Sequence, residues 1–221
     1  MAKLTPNKPF LLLLYGFPGS GKTYFARQFS DQVQVAHVQA DRIRHELFEK
    51  PRYDKQENLV VAQIVNYMVE EFLSAGVSVV YDTNVFRFAQ RRELRDLARK
   101  AGAEPLLLWQ QIDADSSFAR SNKRDRRKAD DRYALQPTSE LFARIAGAMQ
   151  NPTAEESPIV TSGKHVFPNQ LNAVLRTLYQ KGIITPNHSS EVVAKPGLVN
   201  LVPTQQPTNR ADMNRRNVFI R

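Results

Sequence analysis

Residues 10–23 read FLLLLYGFPGSGKT. The first six, Phe10, Leu11, Leu12, Leu13, Leu14 and Tyr15, form an unbroken apolar run that stops at a glycine. A run this short, bounded by a turn, predicts a strand buried on both faces, as in a parallel sheet. The next eight, Gly16 to Thr23, satisfy the phosphate-loop pattern G-x-x-x-x-G-K-[ST]. Its glycines let the backbone curl round an anion with N–H groups pointing inward. Lys22 can reach β- and γ-phosphates as a point charge, and the Thr23 hydroxyl can take one position on Mg²⁺. Tyr24 to Phe29 continue as a helix whose positive dipole end adds to the site. The rival, a chance glycine loop, lacks any reason for the flanking strand and helix.

Outward from this stretch, strands and helices alternate. Val33–Val38 carries β-branched Val33, Val35 and Val38 and predicts a second strand. Gln39-Ala40-Asp41 leads into a short helix, Arg42–Phe48, before Pro51. From Glu57 to Ala75 the apolar residues Val60, Val61, Ile64, Val65, Met68, Phe72 and Leu73 recur at helical spacing, up to Gly76. Val77–Asp82 is a third strand ending in a carboxylate, followed by Thr83 and Asn84. Residues 88–101 predict a helix with Arg91, Arg92, Arg95 and Arg99 largely on its solvated side. Pro105–Ile112 is a fourth strand, residues 137–149 a helix, Ile159-Val160 an edge strand and residues 168–181 a last helix. The alternation predicts a doubly wound α/β parallel sheet with helices on both faces. Function then gathers at the carboxyl ends of the strands, where Gly16–Thr23, Asp41 and Asp82–Asn84 fall.

The chain has 221 residues, enough for one α/β domain over 1–184 with a modest appendage. Beyond Thr185 it is rich in Pro, Asn, Gln, Ser and Thr, so residues 185–221 are expected to be a flexible, disordered basic tail. The terminal Arg215–Arg221 segment sets a short apolar patch between arginines. Thirty-one Lys and Arg against 22 Asp and Glu give a net charge of +9, which favours polyanionic partners, ATP among them. No cysteine is present, which excludes disulfides, thiolate metal sites and a cysteine nucleophile. The opening MAKLTPNKPF has no signal-type apolar segment, and Phe10–Tyr15 is too short to span a bilayer. A cytoplasmic location and no membrane partner are the expectation.

A phosphate loop alone fits motors, GTPases and kinases. The N-K-x-D letters of base-reading GTPases occur once, at Asn122 to Asp125, inside the arginine-rich segment. Asp82 supplies a Walker-B-type carboxylate, and Thr83 stands where many hydrolytic ATPases carry a water-activating glutamate. In this respect the chain resembles the small P-loop kinases of the polynucleotide kinase and zeta-toxin group, an AAA-type kinase family. The matching residues are Gly16–Thr23, the D-x-x-R of Asp41 to Arg44, Asp82-Thr83-Asn84, Arg91, and the R-x-x-x-R of Arg120 to Arg124. The likeness spans about residues 8–182 and implies a nucleoside-monophosphate-kinase-like fold.

It also implies roles. Gly16, Pro18, Gly19, Ser20, Gly21, Lys22 and Thr23 would cradle ATP, with Arg120 beside the nucleotide. Thr23 and Asp82 would hold Mg²⁺. Asp41 would be the general base on an acceptor hydroxyl, with Lys22 and Arg124 offsetting charge, Arg124 from a lid over about 114–136. Arg44, Asp82, Asn84 and Arg91 would face the acceptor, possible acceptors including a nucleic-acid 5′-hydroxyl, a nucleotide or a small alcohol. Phosphoryl transfer needs positioning and charge compensation, which these residue types supply.

Plainer readings exist for each. Asp41 would serve as a helix N-cap, Asp82 as a strand end, and Arg120–Arg132 as an ordinary charged segment. His37 and His45 are lone histidines without metal-ligand spacing, and Trp109 reads as core. For the whole chain the alternative is a nucleotide-switched binding module that transfers little or no phosphate.

Overall fold

Strand β1 (Phe10–Tyr15) is buried at every position because it is the middle strand of five. The computed structural model describes residues 3–125, 127, 128 and 131–185. The expected tail over 185–221 lies outside them except for Thr185, as do Arg126, Ala129 and Asp130 of the arginine-rich segment. The other strands are β2 (Ala36–Gln39), β3 (Val79–Asp82), β4 (Glu104–Gln111) and β5 (Ile159–Ser162). Their order is β2-β3-β1-β4-β5, and every pairing is parallel.

Side chains alternate across a strand, so β1 feeds two cores. Phe10, Leu12 and Leu14 pack with α1 (Lys22–Gln32) and α7 (Phe167–Gln180) on one face. Leu11, Leu13 and Tyr15 pack with α3 (Lys55–Ser74) and α4 (Phe88–Lys100) on the other. The remaining helices are α2 (Ala40–Leu47), α5 (Ala114–Asn122) and α6 (Ser139–Ala148). From β1 the chain runs to one side for β2 and β3, then crosses to the other for β4 and β5. That reversal opens a crevice at the carboxyl ends of the strands, where open α/β sheets bind ligands.

Several boundaries shift for physical reasons. The second strand begins at Ala36, not Val33, because the Val33 N–H is used to close α1 on the Phe29 carbonyl at 2.8 Å. It runs instead to Gln39, opposite Asp82. Asp41 therefore sits in the first turn of α2, one residue past its start, and the N-cap position is Gln39. The buried stripe of α3 is Val61, Val65, Val69 and Leu73, with Val60 exposed. The third strand starts at Val79, leaving Val77 exposed. Ile159 and Val160 do form an edge strand, paired to β4. Among the described residues, no helix is long and apolar enough to cross a membrane.

Candidate active site

The phosphate loop leaves β1 at Gly16 and enters α1 at Lys22. Gly19 has φ +91°, and a Cβ there would lie 2.3 Å from the Ser117 carbonyl oxygen, so only glycine fits. Ser117, on α5, also donates its hydroxyl to the Pro18 carbonyl at 2.8 Å. The loop is thus clamped from the segment read in sequence only as a lid. Lys22 Nζ donates to the Gly16 and Phe17 carbonyls at 2.8 and 3.0 Å, bridging the loop. Burial lowers its pKa to about 8, a drop that Asp82 opposes and Arg124 adds to. An anion in the loop would restore that charge.

Opposite the loop stand two carboxylates. The Thr23 hydroxyl donates to Asp82 Oδ1 at 3.3 Å, and His37 Nε2 meets Asp82 Oδ2 at 3.0 Å. A hydroxyl and a carboxylate oxygen side by side are the hard donors Mg²⁺ takes. Among the described residues no cluster of three or more His, Cys, Asp or Glu could hold a metal. Asp41 has its pKa raised to about 6, first by burial and then by Asp82, against the pull of Arg44, Arg124 and Lys22. A carboxylate so tuned can take a proton near neutral pH.

One cavity of about 960 Å³ gathers most of the expected site: Pro18, Gly19, Gly21, Lys22, Thr23, Asp41, Arg44, Asp82, Asn84, Arg120 and Arg124. Arg120 donates to the Gly163 carbonyl at 2.7 Å, joining α5 to the loop after β5. Arg124 is held by the Leu135 carbonyl and lies 3.9 Å from Asp131. Arg44 lines the cavity but is committed on two sides, to Glu57 Oε2 at 3.0 Å and Asn58 Oδ1 at 2.7 Å. Its guanidinium also covers the Tyr53 ring at 4.6 Å. Ser20 lies fully buried under the loop, and Gly16 lines a second cavity with Trp109.

Arg91 departs from its expected place against the acceptor. It is fully buried and absent from the cavity wall. Its Nε and Nη2 meet the two Glu156 oxygens at 2.7 and 2.8 Å, and Nη1 donates to the Val85 and Phe86 carbonyls. The guanidinium stacks on Tyr15 at 5.0 Å. Its donors are spent on the fold, and Arg91 is a buried pin rather than part of a solvated helix face.

Sequence reasoning missed His37, Glu57 and Ser117. His37 reaches Asp82 only because β2 and β3 pair in register, which no local pattern announces. Glu57 is buried, accepting from Arg44 and from the Arg52 N–H. Ser117 and Ser121 are small residues one helical turn apart, a signal of close approach that the arginines around them masked.

Residues 11–152 match the family profile described as an AAA domain. No curated protein sequence matches the chain. Among solved structures the chain is similar to a sugar kinase from Janibacter sp. HTCC2649, at 16% identity and TM-score 0.56, over 79% of this chain and 95% of that one. It is similar to the APS kinase CysC of Mycobacterium tuberculosis, solved with AMPPNP and APS, at 17% identity and TM-score 0.57, over 79% and 99%. A third likeness is to the Pnkp1/Rnl/Hen1 RNA repair complex, at 17% identity and TM-score 0.53, over 67% of this chain and 45% of that one. At such identities the likeness is one of fold, that of the P-loop kinases.

Proposed function

The chain belongs to the AAA domain family, and from that premise we propose that it is an ATP- and Mg²⁺-dependent kinase that phosphorylates a hydroxyl. The observation that carries this reading is Asp41, a carboxylate with its pKa raised to about 6, in one cavity with Lys22, Asp82 and Arg124. A motor or switch has no need of a base tuned to neutral pH on the far side of its phosphate loop. The resemblance to the polynucleotide kinase and zeta-toxin group supports the same roles.

In this mechanism the loop N–H groups and Lys22 hold the β- and γ-phosphates. Asp41 accepts the proton of the acceptor hydroxyl. The freed oxygen forms a bond to the γ-phosphorus while the bond to the β-phosphate oxygen breaks, and ADP leaves with that electron pair. Arg124 and Lys22 offset the charge that spreads over the moving phosphoryl group. Mg²⁺, when bound at Thr23 and Asp82, would neutralise the β- and γ-oxygens. Arg120 contacts the nucleotide, and Asn84 and Arg44 line the acceptor side. The net charge of +9 makes a nucleic-acid 5′-hydroxyl one candidate acceptor, beside a nucleotide, a small alcohol or an antibiotic. We place this chemistry in the cytoplasm, with the kinase domain over 1–184 and the lid over about 114–136.

The test is transfer of label from [γ-³²P]ATP to a panel of hydroxyl compounds, with Lys22→Ala as control. The parent is expected to label at least one acceptor, and Lys22→Ala none, with unchanged melting. Equal turnover by parent and variant would overturn the reading. ATP binding without transfer to any hydroxyl would favour the nucleotide-switched binding module.

A further inference from the structure

The cavity does not end at Asp41. Its lining continues between α3 and α4, where an apolar stripe runs beside Asn58, Asn66, Gln90 and Glu93. Ala62 and Val65 come from α3, Leu94 and Leu97 from α4, and Phe86 from the loop before α4. Val65 and Leu94 are buried, while Ala62 is open to solvent, so the groove runs from the interior to the surface. One neutral polar pair stands among these residues. The Tyr81 hydroxyl donates to Asn66 Oδ1 at 2.9 Å, and both residues line the cavity. Burial raises the Tyr81 pKa, which keeps the phenol protonated.

Cationic charge is what α3 and α4 do not bring to this groove. Glu93 is the one charged residue that α3 and α4 contribute to the lining. None of the four arginines of α4 lines the cavity. Arg91 is spent on Glu156, Arg95 lies over Phe88, and Arg99 pairs with Asp96. Arg44 and Arg52 line it from α2 and the following loop, already paired with Glu57 and Asp54. Arg144 lines it from α6. Proteins that grip a nucleic acid do so mainly through basic contacts to its phosphates. A strand entering by this groove would lay phosphates against leucine, valine and a carboxylate. A free sugar can pair some hydroxyls with Asn58, Asn66 and Gln90, but the stripe of Ala62, Val65, Leu94 and Leu97 fits an apolar body rather than a ring polar on every side.

We propose that the acceptor is a compact amphipathic alcohol, its apolar or aromatic body seated between α3 and α4 and its hydroxyl directed to Asp41. A polar substituent on that body exchanges hydrogen bonds with Tyr81 and Asn66. This rests on the kinase reading above and specifies its acceptor. The transfer is the one already written: proton to Asp41, alcohol oxygen to the γ-phosphorus, and ADP released. The +9 charge then serves the nucleotide and surfaces other than this groove.

The test uses the full chain, [γ-³²P]ATP and three probes: 3-phenylpropane-1,2-diol, gluconate, and a 5′-hydroxyl oligonucleotide. ATP binding is followed separately with a fluorescent analogue. The aryl diol is expected to be phosphorylated with kcat/KM at least tenfold above the other two. Ala62→Phe, which fills the open wall of the groove, should raise KM for the diol tenfold or more and leave KM for ATP within twofold. Leu97→Gln, a second wall variant, should act in the same direction. Preference for gluconate or the oligonucleotide, or a diol KM that neither wall variant moves, overturns the groove assignment and leaves the kinase reading standing. Bound ATP with no phosphate moved to any probe overturns both.

Discussion

The Arg91–Glu156 pair is buried and the Lys22–Asp41 end of the cavity half-buried, and only the first has its charges matched. Arg91 gives two N–H groups to the two oxygens of one carboxylate and a third nitrogen to two carbonyls. Lys22 rests on neutral carbonyls, and Asp41 faces a second carboxylate, Asp82, across the cleft. The pair ties α4 and the end of β1 to the segment before β5, and against the push of burial the Arg91 hydrogen bonds hold the Glu156 carboxyl below its ordinary pKa, stably charged. The cavity end keeps its charges unmatched, which shifts their pKa values and readies them for phosphate and proton. Burial by itself therefore does not mark a site; unmatched burial does.

That comparison can be broken at its strongest point first. Arg91→Met should lower unfolding free energy by about 3–5 kcal/mol, because Glu156 is left charged and buried. Urea unfolding measures it, and a loss below about 1 kcal/mol would mean that the pair is not a pin. Asp41→Asn should reduce transfer by at least about a hundredfold while ATP affinity holds. The same variant should be more stable than the parent. With its folded pKa raised from 3.8 to about 6, the protonated acid favours the fold below pH 4, and that advantage is lost as pH rises through 6. Without nucleotide or metal, Asp41→Asn should gain up to about 3 kcal/mol at pH 8 and nothing below pH 4. Equal melting of the two proteins at pH 8 would put Asp41 with the matched charges.

Smaller effects sharpen the contrast. In the parent, kcat/KM for the acceptor should fall about tenfold per pH unit below the Asp41 pKa of about 6. A profile flat down to pH 5 would remove Asp41 as the base. His37→Ala should raise the Mg²⁺ needed for half-maximal transfer by about tenfold, since His37 orients Asp82 from behind. An unchanged requirement would reduce that contact to packing.

The phosphate loop was legible because each of its constraints is local. Gly19, Lys22 and Thr23 have their places fixed by backbone conformation and by a strand and helix immediately beside them. The parallel sheet followed from alternating apolar periods, and Asp41 and Asp82 from their position after strands. Arg91 was misjudged because its partner, Glu156, is sixty-five residues away. On a helix rich in arginine the exposed ones set the expectation, and no local pattern singles out the residue that turns inward. Arg44 was legible as a cavity residue, but not as one already tied to Glu57 and Asn58.

The sequence by itself thus determined which groups are on offer: a phosphate-loop motif, two carboxylates at or just past strand ends, and an arginine-rich segment. These follow from residue type and short spacing, which act within a turn or two of the chain. Only the tertiary structure decided which charges are spent and which are free to act. It also decided that α3 and α4 line the groove beyond Asp41 with an apolar stripe and no cation, in a chain of +9. Charge matching and groove lining depend on residues brought together from β3, α3, α4 and the segment before β5, and packing, not spacing, sets those distances.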